Sequence, residues 1–262
     1  MRNRLDAELV KRKIARSRED ARDLIEGGLV LVNGMKASKV ASMVDEGTSI
    51  VLSQERERFV SRGAYKLKGA LERFGITSFF DKTVLDAGAS TGGFTEVALH
   101  LGAMKVIAVD VGYGQLAWTL QNHPQVVVVD RTNIRELDAA TIGGKVDVIL
   151  ADLSFISLTI VLPHLTELLR SDGEMFIMVK PQFEVGKEKI GPGGVVRESE
   201  SRAEAVRKVA EKAWEMGLGA MGVVASSLPG PSGNVEFFLW LRPGAEQLRE
   251  SDLQRAIEEG PQ

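Results

Sequence analysis

The chain has 262 residues, no cysteine and a formal net charge of −3, with 44% hydrophobic and 26% charged residues. This is the composition of a globular protein with a large core, and it excludes disulfides, thiolate metal sites and cysteine nucleophiles. The charged start, MRNRLDAELVKRK, is unlike a secretory signal, and no apolar run is long enough to span a bilayer. We therefore expect a cytoplasmic protein that does not enter a membrane.

The net charge conceals two parts of opposite sign. Residues 1–66 carry 14 Lys and Arg against 10 Asp and Glu, a net of +4, and the remaining residues carry a net of −7. A basic end on an acidic body indicates a part that meets polyanions, although a merely solvated charged face has the same composition.

The first 52 residues predict a small module of two helices and short strands. Apolar residues from Leu5 onward predict the first helix, and Ser17 is a candidate N-cap of a second helix that ends at residues 27–28. Asn-Gly at residues 33–34, between apolar runs, predicts a hairpin, and residues 49–52 predict a last strand.

This pattern resembles the S4 domain, a small RNA-binding fold, through RLDAELV, ARSREDARDLIEGGLVLVNG and the closing strand near residues 50–51. In that family the second helix and the following loop lie on RNA. The resemblance therefore implies phosphate contacts, which bring affinity and salt dependence rather than base reading. The alternative is that these charges only solubilise the module. The candidate residues are Lys13, Arg16, Arg18, Arg22 and Lys36.

Residues 53–61, SQERERFVS, predict an interdomain linker. The next segment, SRGAYKLKGALERFG, predicts a helix with one apolar face. Arg62 and Lys66 lie off that face, so periodicity alone predicts two surface charges, of which Arg62 is a further candidate for RNA contact.

The segment Thr83–Leu99 predicts a strand, a glycine-rich turn and a helix. Such a turn lets backbone approach a ligand, and the helix N-terminus presents free N–H groups. It resembles the nucleotide-cofactor turn of doubly wound folds but lacks the G-x-G-x-x-G spacing, so NAD and S-adenosylmethionine both remain open at this point. The candidate cofactor contacts here are Asp86, Gly88, Ala89, Ser90, Thr91, Gly92, Gly93 and Phe94.

After this turn, strands and helices alternate as in a parallel sheet with crossover helices. The glycine-rich loop at residues 184–198 is predicted to be mobile or ordered by a ligand, and residues 243–262 to be a helix or a tail. The predicted strands are 105–110, 126–129, 146–152, 174–180, 221–226 and 235–241, and the predicted helices are 116–120, 160–169 and 201–216.

Charged residues end several predicted strands, where ligands of open parallel sheets bind. Asp110 lies 22 residues after Gly88, the usual place for a carboxylate that accepts hydrogen bonds from ribose hydroxyls, and Val111 follows it. This acid indicates an adenosine cofactor. The small polar side chains of the turn and the absence of a P-loop lysine favour S-adenosylmethionine over NAD. Asp130 is predicted to meet the adenine amino group, or equally to be an acid at a helix N-terminus before Thr132.

Nearly the whole chain resembles the TlyA (hemolysin A-like) ribosomal RNA 2′-O-methyltransferases, an S4 domain joined to an FtsJ-type domain. The motifs that carry the resemblance are SRGAYKL, LDAGASTGGFTEVAL, VDVGYGQL, ADLSFISL, VKPQFE and GNVEFFLWL. It implies an α/β fold: a Rossmann-like class I methyltransferase with a mostly parallel seven-stranded sheet at residues 59–262, and a small α+β S4 domain at residues 1–58. It also implies S-adenosylmethionine as cofactor and ribosomal RNA or ribosomal subunits, not DNA, as partner.

FtsJ-type enzymes place a Lys-Asp-Lys-Glu tetrad around the ribose 2′-hydroxyl, and the resemblance assigns it to Lys66, Asp152, Lys180 and Glu236. A ribose hydroxyl is a poor nucleophile until its proton is removed or its oxygen is oriented. Lys180 would face the 2′-oxygen, and Lys66 would favour its neutral amine and stabilise developing negative charge. The two acids would hold the lysines, and no metal is expected.

Three other functions are compatible with parts of the sequence. A non-catalytic RNA-binding assembly factor and a small-molecule methyltransferase with a nucleic-acid module share most of these features, although an intact tetrad argues against the second. A membrane-lytic protein, the activity that the family's name suggests, lacks support from any membrane-spanning run or cationic amphipathic helix.

Overall fold

The computed structural model describes residues 2–15, 17–53, 59–230 and 232–260, and the chain divides into two units, Met1–Arg58 and Phe59–Gln262. Arg16, a candidate RNA contact, and residues 54–58 of the predicted linker lie outside the described residues.

The first unit packs two helices against two small antiparallel sheets. β1 pairs with β4, and β2 lies between β3 and β5. Its buried core includes Leu5 and Leu9 of the first helix, Leu24 and Ile25 of the second, and Val30. In chain order the elements are β1 (Arg2–Arg4), α1 (Leu5–Lys11), α2 (Arg18–Glu26), β2 (Val30–Val32), β3 (Met35–Lys36), β4 (Met43–Asp45) and β5 (Ile50–Leu52).

Two local sequence signals in this unit are confirmed. Ser17 Oγ accepts the backbone N–H of Asp20 at 3.1 Å, which satisfies a donor at the start of α2. Asn33 and Gly34 have φ of 50° and 81°, the left-handed pair that a tight hairpin turn requires. The pairing of β1 with β4 was not predicted, because three-residue strands give no alternation to detect.

The second unit is built on a seven-stranded sheet in the order β11-β12-β10-β9-β6-β7-β8. In this sheet β12 runs in the opposite direction to the other six strands. The predicted mostly parallel, Rossmann-like sheet is thus confirmed. In chain order the elements are α3 (Arg62–Phe74), β6 (Thr83–Ala87), α4 (Gly93–His100), β7 (Lys105–Val109), α5 (Trp118–Gln121), β8 (Val126–Val129), β9 (Val146–Ala151), α6 (Leu158–Leu168), β10 (Leu169–Val179), α7 (Pro181–Glu184), α8 (Ser199–Glu215), β11 (Leu218–Ala225), β12 (Phe237–Pro243) and α9 (Glu250–Glu258).

The central strands are apolar throughout because helices cover both faces of the sheet. One face packs against α6, α8 and α9, with Leu162 and Val206 in its core. The other face packs against α3 and α4, with Leu67 and Phe94 in its core. All parallel strands therefore end at one edge, and their carboxyl ends bring distant residues together there.

Several element boundaries differ from the sequence prediction. β10 begins at Leu169, with a register irregularity before Glu174, and α5 begins only at Trp118. The segment after residue 243, predicted as helix or tail, contains α9.

The side chain of Asn234 anchors the glycine-rich loop: its Oδ1 accepts the N–H of Val196 at 2.9 Å, and its Nδ2 donates to the carbonyl of Gly194 at 2.9 Å.

Phe59, which the sequence analysis placed both in the linker and at the start of the second domain, packs as part of the second unit. Its side chain is 2% exposed, and its ring lies 5.2 Å from the ring of Tyr65 and 5.1 Å from that of His100. The backbone N–H of Val60 donates to Glu96 Oε2 at 2.6 Å. We therefore place the start of the second domain at Phe59.

We expect Phe59→Ala to lower the free energy of unfolding of the second unit by about 3 kcal/mol, the usual loss for a buried Phe. All three Trp residues lie beyond residue 59, so tryptophan fluorescence in urea reports on this unit. The matched control is Phe80→Ala, because Phe80 is 79% exposed. Equal losses for the two variants would contradict the boundary.

Candidate active site at the carboxyl edge of the sheet

The turn after β6 has a backbone path that requires glycine at two positions. Gly88 has a φ of 86°, and a Cβ there would lie 2.6 Å from the carbonyl oxygen of Asp152. Gly92 has a φ of 96°, and a Cβ there would overlap Leu120. The turn therefore lies tightly between neighbouring elements, with its backbone close to the end of β9.

Asp86, at the start of this turn, is fully buried. Its Oδ2 accepts the hydroxyl of Thr95 at 2.7 Å, whereas Oδ1 has no hydrogen-bond partner among the described residues. Burial raises the pKa of Asp86 to about 7, and the nearby carboxylates of Asp152 and Asp110 act in the same direction. The turn thus contains a buried acceptor that the described part of the protein leaves unused.

A cavity of about 490 Å³ opens beside the turn. Its wall includes five of the predicted cofactor and catalytic residues, Gly88, Ser90, Asp110, Val111 and Asp152. The other predicted cofactor residues support the turn or lie beyond this wall as the structure describes it: Asp86, Ala89, Thr91, Gly92, Gly93, Phe94 and Asp130.

Asp110 joins the turn to the next strand through its two carboxylate oxygens. Oδ2 accepts the N–H of Ser90 at 2.8 Å, and Oδ1 accepts the N–H of Gly112 at 2.7 Å. Each oxygen retains a further lone pair, so the carboxylate can still accept from a ligand in the cavity.

Asp130 follows β8 and binds the backbone of a neighbouring loop, and its contact with an adenine amino group stays a prediction. Its Oδ2 accepts the N–H of Gly114 at 2.8 Å and so fixes the loop after β7. The short helical turn that follows begins at Asn133, whose Oδ1 accepts the N–H of Arg135 at 3.1 Å, so Asp130 is not its N-terminal acid. At this strand end the cavity wall is formed by Thr132 and Asn133, which the sequence analysis missed.

Lys66 and Glu236 form a buried ion pair. Lys66 Nζ lies 2.6 Å from Glu236 Oε2, and the two side chains are 9% and 2% exposed. The expectation from helical periodicity, a surface lysine, is wrong, because α3 lies over the sheet and turns this side chain toward the residue preceding β12.

Lys180 and Asp152 form the second pair. Lys180 Nζ lies 2.6 Å from Asp152 Oδ1, and it donates to Ser154 Oγ at 2.8 Å. Lys180 is buried, whereas a quarter of the Asp152 side chain is exposed toward the cavity that it lines.

The strand register brings the two pairs side by side. β10 lies between β9 and β12, with Val179 opposite Phe237 and Ile177 opposite Ala151. Continuing the antiparallel register by one residue sets Lys180 beside Glu236, and Asp152 follows Ala151 on the other neighbour. Backbones of paired strands lie about 5 Å apart, so the four predicted tetrad residues share one edge.

The loop between β9 and α6 is held by a carboxylate that the sequence analysis did not single out. Glu184 accepts the N–H of Leu158 on Oε1 at 2.7 Å and the hydroxyl of Ser157 on Oε2 at 2.5 Å. Burial raises the pKa of Glu184 above its ordinary range. Since α7 follows Lys180 directly, this contact connects the ends of β10 and β9.

Phe155, on the same loop, is an exposed aromatic residue of the cavity wall. It has a φ of 64°, uncommon for a non-glycine residue, and its side chain is 92% exposed. Its ring lies 5.2 Å from that of Phe183. The sequence analysis did not single out Phe155 as a site residue, because its exposure and its backbone conformation are seen only in the structure.

The candidate RNA contacts differ in their surroundings. Lys13, Arg18, Arg22 and Lys36 are exposed on the first unit, and Arg62 begins α3 of the second unit and is half-buried. A further basic residue, Arg12, has a structural role: its guanidinium donates to Glu8 at 2.8 Å and to the carbonyl of Thr48 at 2.7 Å.

Among the described residues, no cluster of three or more His, Asp or Glu side chains is placed to hold a metal ion. No helix in the described ranges combines the length and apolar character needed to cross a membrane.

Between about pH 5 and about pH 8, we expect the free energy of unfolding of the second unit to fall by about 2 to 3 kcal/mol more in the wild type than in Asp86→Asn. The folded state retains the Asp86 proton up to its raised pKa of about 7, whereas the unfolded state loses it near 3.8, so stability is lost as pH rises through this window. Urea unfolding followed by tryptophan fluorescence measures the difference. Parallel pH dependences would contradict the buried, protonated carboxyl.

Comparison with known proteins agrees with this geometry. The family model of the FtsJ-like methyltransferases matches residues 59–243, and that of the S4 domain matches residues 3–50. The 16S/23S rRNA (cytidine-2′-O)-methyltransferase TlyA of Mycobacterium tuberculosis is 53% identical over 99% of each chain. Hemolysin A of Brachyspira hyodysenteriae is 34% identical over 89% of this chain and 97% of its own. A structure from Streptococcus thermophilus, named as a hemolysin, is 36% identical and covers 98% of this chain and 95% of its own with a TM-score of 0.76. The chain therefore belongs to the TlyA (hemolysin A-like) family, in which an S4 domain is joined to an FtsJ-like methyltransferase domain.

Proposed function

We propose that this protein transfers a methyl group from S-adenosylmethionine to the 2′-oxygen of a cytidine ribose in ribosomal RNA. One observation carries the proposal: two ion pairs, Lys66–Glu236 and Lys180–Asp152, lie at the same edge of the sheet as the turn that requires glycine at residues 88 and 92. The name of the relative from Mycobacterium tuberculosis, rRNA (cytidine-2′-O)-methyltransferase, supports the substrate and the position of the methyl group.

The residues of the cavity fit S-adenosylmethionine. Its volume, about 490 Å³, lies in the usual range for small-molecule sites. Asp110 would accept from the ribose hydroxyls, and the turn from Asp86 to Gly93 would hold the methionine end, with the unused Oδ1 of Asp86 as an acceptor for its ammonium group. Thr132 and Asn133 would line the adenine end. The bound cofactor supplies an electrophilic methyl group on a sulfonium.

The protein's contribution to methyl transfer is alignment and proton removal. An in-line displacement requires the ribose oxygen to face the methyl carbon, so the groups around that oxygen decide the rate. We assign Lys180 to the 2′-oxygen: its amine would accept the hydroxyl proton as the methyl carbon exchanges its bond to sulfur for a bond to that oxygen, and the proton would then pass to solvent. Lys66 stabilises negative charge that develops on the oxygen, and Glu236 and Asp152 fix the two amines.

The first unit is suited to docking on RNA. Lys13, Arg18, Arg22 and Lys36 are exposed there. Arg18 and Arg22 lie in the second helix, which the S4 resemblance assigns to RNA, whereas Lys13 precedes that helix and Lys36 lies in β3. Ammonium and guanidinium groups on phosphates give affinity without base identity, so we assign the choice of cytidine to the second unit. Phe155 offers an exposed aromatic face at the cavity wall, suitable for stacking on an unstacked base.

We expect Lys180→Arg to lower the rate of methyl transfer to ribosomal RNA at least about 100-fold, because a guanidinium keeps the charge but does not accept a proton. The assay is tritium transfer to ribosomal RNA with mapping of 2′-O-methyl sites, and binding of S-adenosylmethionine is measured in parallel. Lys145→Arg, a change at an exposed lysine, is the control and retains full rate.

The same assay separates the other functions. Full activity of Lys180→Arg across the pH–rate profile would refute its role as base. Wild-type protein that binds the cofactor and RNA but transfers no methyl group, to free RNA or to subunits, would point to a non-catalytic assembly factor.

We expect the triple variant Lys13→Ala, Arg22→Ala, Lys36→Ala to bind ribosomal RNA more weakly. The slope of log affinity against log salt concentration decreases in magnitude by about 2 to 3, since three phosphate contacts are lost. Fluorescence anisotropy over a salt series measures it. The control is Arg2→Ala, because Arg2 is ion-paired with Asp45 at 3.3 Å. An unchanged slope in the triple variant would place the RNA on another surface.

A further inference from the structure

Ser154 lies beside Lys180 at the carboxyl edge of the sheet and is not one of the four predicted tetrad residues. It follows Asp152 by two residues on the loop between β9 and α6 and forms part of the cavity wall. Its Oγ accepts a hydrogen bond from Lys180 Nζ at 2.8 Å. The side chain is exposed, so it has no part in core packing, and this contact is the feature that the sequence did not reveal.

Lys180 has one directional contact at its nitrogen. A lysine nitrogen has three positions besides its bond to Cε, and each holds either an N–H or, in the neutral amine, a lone pair. Ser154 Oγ, at 2.8 Å, accepts a hydrogen bond from one of these positions, whereas Asp152 Oδ1, at 2.6 Å, is an ion-pair contact that makes no hydrogen bond. Among the described residues no other hydrogen-bond acceptor is present at Nζ, so the other positions remain for a group that enters the site.

We propose that Ser154 is a positioning residue whose hydrogen bond orients the Lys180 amine toward the substrate hydroxyl. This inference rests on the function proposed above. With one N–H held by Ser154, the other positions of the nitrogen face the substrate oxygen. A lone pair in such a position takes the hydroxyl proton, and an N–H there donates to the oxygen.

Asp152 by itself does not define this orientation, because its Oδ1 attracts the amine without accepting a hydrogen bond. Without a directional partner the amine can rotate about the Cε–Nζ bond among its staggered positions. The hydrogen bond to Ser154 removes that freedom. The orientation of a reacting group is worth large factors in rate when the bound geometry must be close to that of attack.

Ser154 can fulfil this role because both ends of its loop are anchored. Asp152 continues β9, which pairs with β6 and β10. On the other side, Ser157 and Leu158 are held by the buried carboxylate of Glu184, at 2.5 and 2.7 Å. The hydroxyl therefore belongs to a short, fixed segment rather than to a freely moving loop.

The test is Ser154→Ala in the full chain, assayed by methyl transfer to ribosomal RNA. We expect kcat to fall about tenfold or more, with KM for RNA and Kd for S-adenosylhomocysteine within about twofold of wild type, since only the amine orientation is lost. Ser154→Thr keeps the hydroxyl on an exposed side chain and is expected to restore kcat to within about threefold. Ser199→Ala, the same change at an exposed serine at the start of α8, is the control.

Three outcomes would overturn the inference: an unchanged kcat in Ser154→Ala, a loss confined to KM or to Kd, or a folded Ser154→Thr that recovers nothing. Melting followed by tryptophan fluorescence shows that the variants are folded. The result for Lys180→Arg separates this inference from the proposed function. If that variant is inactive and Ser154→Ala is fully active, only the role of Ser154 fails; if Lys180→Arg is fully active, both fail.

Discussion

The position of β10 between a parallel and an antiparallel neighbour is the constraint on which the site depends. β9 delivers Asp152 from one side, and β12 delivers Glu236 from the other, because its reversed direction places its first residues, not its last, at the carboxyl edge. Lys180, at the end of β10, is thereby flanked by two acids from separate strands. The antiparallel strand β12, inserted between β10 and β11, is therefore what makes a four-residue cluster available at this edge.

Local patterns in the sequence predicted much of the fold. The strand, turn and helix around Asp86, the hairpin at residues 33–34 and the parallel order of the central strands follow from short-range signals, and they are confirmed. Periodicity failed for Lys66, whose burial results from an ion pair with Glu236, 170 residues further along the chain. Family resemblance placed that residue in the site where helical spacing had placed it on the surface.

The partners of several site residues were out of reach of sequence patterns for a different reason. Asp110, Asp130 and Glu184 bind backbone N–H groups of loops or of the start of α6, and such contacts depend on loop conformations that have no periodic signature. The same is true of Ser154, whose exposed hydroxyl gives no hint of its lysine partner until the loop after β9 is traced. A carboxylate at a strand end thus marks the ligand edge, but its own partners are decided by the neighbouring loops.

The two ion pairs are better explained by function than by stability. Removing charges from water costs several kcal/mol per ion, and well-packed apolar groups of similar size are often as stable. The structure nevertheless places Lys66–Glu236 almost wholly out of solvent and sets Lys180–Asp152 at the cavity wall. Within this edge the two lysines are balanced by two acids, so the formal charges of the four side chains sum to zero. Such an arrangement suits a reaction in which a hydroxyl must lose its proton while a sulfonium loses its positive charge.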